Sequence, residues 1–167
     1  MTADEATEVL ALAREWQAEA SRDARSGYQI NNRFLKLWIA LNALYALRFD
    51  HLDGDHTQLR QFADWDPVLE AHRRGLDRHV YRRAVENLAA YGVYDYRRGT
   101  TVFVPEPYTS RDVLDAIYQI RCNLFHGRKS PSSLRDARLV QAACRIIVHL
   151  VNSLLADDSI WDDAADQ

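Results

Sequence analysis

An all-α fold, a helical bundle with four or more main helices, is what this sequence predicts. Three observations carry that expectation. Apolar residues recur at three- and four-residue spacing through several long segments. Helix-starting and helix-stopping residues sit at the ends of those segments. Only one short stretch, "TTVFVPEP", has the β-branched density of a strand, and it ends in prolines.

The first element runs over 3–25, where Val9, Leu12, Ala13, Trp16 and Ala20 share one helical face and Ser26-Gly27 provides a stop. The second, 28–48, is the most apolar. Ile30, Phe34, Leu37, Trp38, Leu41, Leu44 and Tyr45 cover more than half its circumference, which places it at the centre of the bundle. "FDHLDGDHT" reads as a loop. Residues 57–92 read as two or three short helices broken near Pro67 and Gly75. "TTVFVPEP" reads as a short strand or hairpin arm. Thr109 followed by Asp112 is a capping box. Val113, Leu114, Ile117, Ile120 and Leu124 then form a core stripe that Gly127 terminates. Pro131 and Ser132-Ser133 open the last helix, 133–155, with Val140, Ala143, Ile147, Leu150 and Leu154 inward. The chain reads as one domain, 1–167, with an irregular insertion at about 49–108 and an acidic C-terminal tail, 157–167. Trp16, Trp38 and Trp65 are expected in the core, and Trp161 docks on the body or on a partner. Asn42 is expected as a satisfied amide that braces the helix carrying Arg121.

Composition excludes several classes. The two cysteines, Cys122 and Cys144, form no CxxC pair and no zinc set, and they suit a reducing, cytoplasmic setting. The N-terminal stretch has acids where a signal peptide has bases. No uninterrupted apolar run is long enough for a membrane span. A net charge of −3 does not advertise nucleic-acid binding, yet "HRRGLDRHVYRR" holds five arginines and two histidines against one acid. Within it Arg74, Arg78 and Arg82 fall at i, i+4 and i+8, as on one helical face able to follow an RNA backbone. A solvated face paired with acids weighs equally. "DHLDGDH" places Asp50, His51, Asp53, Asp55 and His56 in one loop that could bind a metal. Its spacing matches neither an EF-hand nor a His-Glu zinc motif, so solvated loop charges are expected and no metal or cofactor.

The most informative stretch is "IRCNLFHGRKS". With Arg121 at the origin and steps of about 100°, Leu114, Ile117, Leu124 and Phe125 all lie within about 60° of it. Arg121 therefore falls in the apolar arc, while His126 lies about 140° away beside Gln119 and Cys122. A guanidinium stays charged, so in that arc it needs an acid such as Glu86 or Asp112, or a water-lined cleft.

"RCNLFHG" resembles the Rx4-6H motif of the HEPN superfamily. "FLKLWIALNALY" is similar to the Trp- and Asn-containing helix of its abortive-infection (Apea-like) branch. "NLFHGRKSPSSLRDARLV" looks like that branch's turn into the last helix. These matches fall in 28–48 and 110–156. The resemblance implies a metal-independent endoribonuclease, with Arg121 and His126 catalytic, Cys122 and Asn123 supporting, and a cleft formed at a homodimer interface. Arg74, Arg78, Arg82, Arg128 and Lys129 would hold RNA. A toxin or phage-defence effector controlled by a nucleotidyltransferase-like antitoxin is the implied setting. Cys122 stands where active members often carry Asn, Asp or His. The alternative is a non-catalytic HEPN domain that binds RNA, a nucleotide or a protein.

Overall fold

The computed structural model describes residues 3–23, 30–126 and 133–161. Within them the chain folds as α1 (Ala3–Asp23), α2 (Ile30–Phe49), α3 (Asp55–Ala63), α4 (Asp66–Leu76), α5 (His79–Tyr91), the strands β1 (Val93–Asp95) and β2 (Thr100–Val102), α6 (Ser110–Phe125) and α7 (Leu134–Leu155). The fold is all-α apart from one two-stranded hairpin.

α2 is the central helix, as its apolar circumference requires. Phe34, Leu37, Leu41, Leu44 and Tyr45 are fully buried and Trp38 nearly so. α1 packs along α2, and α7 crosses it while also covering α4 and α5. All five apolar positions expected inward on α7 are buried. α7 is long and apolar enough by composition to cross a membrane, but its apolar stripe is turned into this core. Ser133 caps α7 by accepting from the Asp136 amide, and Thr109 does the same for α6 from Asp112. Gly127, Pro131 and Ser132, the expected stop and start between these helices, lie outside the described residues.

Two expectations need correction, Leu12 on the inward face and Asp55 and His56 in a loop. On α1, Val9, Ala13, Trp16 and Ala20 pack on the core as expected, with Ala6 and Leu10 beside them. Leu12, however, is 45% exposed because it lies about 100° around the helix from Ala13. The segment read as short helices and a hairpin arm forms α3–α5 and the hairpin, and Leu59, Phe62, Val68, Tyr81, Val85 and Leu88 from α3–α5 enter the same core. Its first helix begins at Asp55, so Asp55 and His56 belong to the first turn of α3 and not to a loop.

The hairpin pairs Val93 with Val102 and Asp95 with Thr100 in antiparallel register. It leaves α5 through Gly92, whose φ of 58° and crowded surroundings require glycine: a Cβ would lie 2.6 Å from Thr101 Cγ2. At the far end of the chain Trp161 folds back onto the body. Its ring lies 5.0 Å from that of Trp65 and its Nε1 donates to the Leu154 carbonyl at 3.1 Å.

Candidate functional site

α6 has two working faces. Val113, Leu114, Ile117 and Ile120 face the core. Asp115, Gln119, Cys122 and His126, again at helical spacing, line a cleft of about 570 Å³. His56 and Arg60 of α3 form one wall, and the hairpin turn with Arg97 and Arg98 forms the other.

The α3 wall is fixed by charge. Asp115 accepts from His56 Nε2 at 2.8 Å and from Arg60 Nη2 at 2.7 Å. Burial alone would raise the Asp115 carboxyl, but these two donors outweigh it and hold the group below the usual carboxylate range. The His56 ring stacks on Tyr118, with centroids 4.5 Å apart and planes 20° apart, which sets its orientation. The Tyr118 phenol is itself raised by burial, with Cys122 and Asp55 adding to it.

The hairpin wall is fixed by a turn. Asp95 is buried, and its Oδ1 accepts from the Arg97 amide at 2.9 Å and the Arg98 amide at 3.3 Å. Asn123 ties this turn to α6: its Nδ2 donates to the Tyr94 carbonyl at 2.7 Å and its Oδ1 accepts from Gln119 at 3.0 Å. Both ends of Asn123 are therefore engaged in holding the wall. Arg97 Nη2 then donates to His126 Nε2 at 3.0 Å. A guanidinium only donates, so His126 Nε2 is the acceptor in this contact.

Arg121 is elsewhere. It is not among the residues lining this cleft. Its guanidinium lies 4.8 Å from the Phe125 ring, 5.7 Å from Tyr118 and 5.8 Å from Trp38. The anion that compensates it is neither Glu86 nor Asp112 but Asp55, at 3.7 Å. Asp55 also accepts from the Tyr45 hydroxyl and from Asn42 Nδ2, the latter at 3.3 Å. Burial, with Asp55 beside it, pushes the Tyr45 phenol far up. Asn42 thus reaches the Arg121 region through Asp55. Arg121 Nε is buried with no hydrogen-bond partner among the described residues.

The basic segment is not one helical face. α4 ends at Leu76 and α5 starts at His79, so the register between Arg74, Arg78 and Arg82 is broken. Arg74 and Arg78 still converge on a second cleft, of about 680 Å³, where Arg145 and His149 of α7 join them. Arg82 instead donates to the Leu76 carbonyl at 2.6 Å. Arg128 and Lys129 lie outside the described residues. Among the described residues no three His, Cys, Asp or Glu side chains gather as a metal site.

Comparison with known proteins found no matching family model, no matching curated protein and no matching solved structure.

Sequence reasoning did not single out Arg60, Arg97 or Asp115, and it took His56 only as one of the solvated charges of a loop. Asp115 had a legible signal, since it begins the polar stripe that continues through Gln119 and Cys122 to His126. His56 and Arg97 reach the cleft only through tertiary packing.

Proposed function

We propose that this chain is a HEPN-type, metal-independent endoribonuclease acting from the cleft at the end of α6. The observation that carries the proposal is His126 at that cleft, receiving a hydrogen bond from Arg97 among Arg60, Arg98 and other polar side chains. A histidine changes charge near neutral pH and suits proton transfer, and guanidiniums suit a phosphate. The 2′-hydroxyl of RNA supplies the nucleophile. Arg121 completes the motif five residues before His126, and a second copy of the chain would bring its cation to the same phosphate. Arg74 and Arg78, with Arg145, offer an anionic strand a further contact. A toxin or phage-defence role, with a nucleotidyltransferase-like antitoxin as partner, belongs to the same proposal.

One observation favours the second reading, a non-catalytic HEPN domain. Arg121 is compensated by Asp55 inside its own chain and does not line the cleft.

The test is cleavage of mixed-sequence RNA by purified protein. The ribonuclease proposal expects products with 2′,3′-cyclic phosphate ends, insensitivity to chelators and resistance of 2′-deoxy substrates. His126→Ala should lower the rate by about 10²–10⁴-fold, and Arg121→Ala by a comparable factor. Thermal melts of both variants must match wild type. RNA bound but never cleaved by wild type decides for the second reading, and undiminished cleavage by His126→Ala sinks the mechanism.

A further inference from the structure

The cleft holds two histidines, and they stand in opposite electrostatic settings. His56 faces a carboxylate, Asp115, at 2.8 Å. His126 faces a guanidinium, Arg97, at 3.0 Å. A carboxylate only accepts, so His56 Nε2 donates to it, and a guanidinium only donates, so His126 Nε2 accepts from it. One ring that donates and one ring that accepts, in the same cleft, are complementary partners for moving a proton on and a proton off.

We infer that His56 is the second proton-transfer residue of the cleft, acting as general acid while His126 acts as general base, so that one chain carries both. The inference rests on the ribonuclease proposal and deepens it by naming the leaving-group acid. Asp115 is its positioning residue. It holds His56 Nε2, and Arg60 grips both Asp115 oxygens, Nε at 3.1 and 3.2 Å and Nη2 at 2.7 Å. Tyr118 fixes the ring plane. With Nε2 against the carboxylate, Nδ1 is the His56 atom that meets substrate.

The step balances as a transesterification. A phosphate entering the cleft draws the Arg97 guanidinium to itself and releases the His126 Nε2 lone pair. Nε2 takes the 2′-hydroxyl proton as the 2′-oxygen bonds to phosphorus. The bond from phosphorus to the 5′-oxygen breaks, and that oxygen takes the proton from His56 Nδ1. The products are a 2′,3′-cyclic phosphate and a 5′-hydroxyl. His126 is left as imidazolium and His56 as imidazole, and exchange with solvent restores both. No oxidant or reductant is involved.

A leaving group that needs no proton isolates the acid. The full chain is assayed on dinucleoside monophosphates and on the matching nucleoside 3′-(4-nitrophenyl phosphates). His56→Ala should lose about 10²–10⁴-fold on the dinucleotides and stay near the wild-type rate on the nitrophenyl esters. His126→Ala should lose a comparable factor on both. Asp115→Asn should mimic His56→Ala in direction, with the smaller loss confined to the dinucleotides. His56→Gln, which keeps a donor for Asp115, provides a folded variant if the alanine variant melts early. Equal losses on both substrates for His56→Gln and His56→Ala, or wild-type dinucleotide cleavage by either, overturn the inference while the ribonuclease proposal stands. A wild-type protein that cleaves neither substrate overturns both.

Discussion

Removing the Asp55 side chain should destabilise the protein by about 2–4 kcal/mol, and the structure allows the sum to be built. Tyr45 is fully buried, and its hydroxyl donates to Asp55. Asp55→Ala leaves that hydroxyl short of its acceptor in the core, which costs about 1–3 kcal/mol. The Arg121 pair is 3.7 Å long, with side chains 30% and 33% exposed, so screening limits it to at most about 1 kcal/mol. Loss of an acid in the first turn of α3 removes a further ~0.3–1 kcal/mol. Urea unfolding followed by tryptophan fluorescence reads the sum. With a slope of about 2 kcal/mol/M the midpoint should fall by roughly 1–2 M. Tyr45→Phe in the same background tests the cause. It should cost much less beside Asp55→Ala than alone, with a coupling of about 1 kcal/mol or more. A midpoint shift under about 0.3 M, or fully additive costs, would refute the view of Asp55 as the hub of α2, α3 and α6.

Gly75→Ala sets helix propensity against space. Alanine gains up to about 1 kcal/mol in a helix, but its Cβ would lie 2.8 Å from Tyr81 Cδ1 and 2.9 Å from two His149 ring atoms. Overpacking of ~1–3 kcal/mol should dominate and lower Tm in a thermal melt. Stability should also fall with acid. Burial is the leading cause holding His72 and His149 below the ordinary histidine value, with the backbone carbonyls of Tyr108 and Ala71 opposing it. The unfolded chain therefore binds more protons than the folded one as pH drops through about 6.5, so the contribution is complete above that value and is lost below it. Urea midpoints should be lower at pH 5.5 than at 7.5, and equal midpoints would contradict the burial of these rings.

The fold was legible where apolar spacing speaks for itself. Phe34, Leu41 and Tyr45 on α2 and Val140, Ile147 and Leu154 on α7 are buried as their spacing requires. The capping residues Thr109 and Ser133 act as their side chains predict. Leu12 was misread because it lies about 100° around the helix from Ala13, at the edge of the face and not within it. The Arg74–Arg78–Arg82 face was misread because i, i+4 arithmetic assumes an unbroken helix, and Asp77 and Arg78 interrupt it. At the cleft, residues on α6 could be seen together because they share an axis. His56 lies 59 positions from Asp115, and no local pattern joins them.

The same helix that unites the cleft also divides the motif. Arg121 and His126 leave α6 on different faces, one into an aromatic cluster with Asp55, the other into the cleft with Arg97. Within one chain Arg97, and not Arg121, is the cation bonded to His126, so under the proposed function a second α6 helix is the source of Arg121 for the same phosphate. The Arg121 side of α6 carries Phe125, which is 61% exposed, and a second copy would gain apolar contact there. The two-histidine arrangement makes no such demand. The kinetic effect of Arg121→Ala separates the two architectures, provided it is compared with Asp55→Ala. If Arg121 acts on phosphate, removing it lowers cleavage while removing Asp55 leaves its cation available. If Arg121 serves only to anchor α6 against α2 and α3, both substitutions lower stability in parallel, and under the proposed two-histidine mechanism cleavage per folded molecule is retained because His56, His126 and Arg97 remain in place.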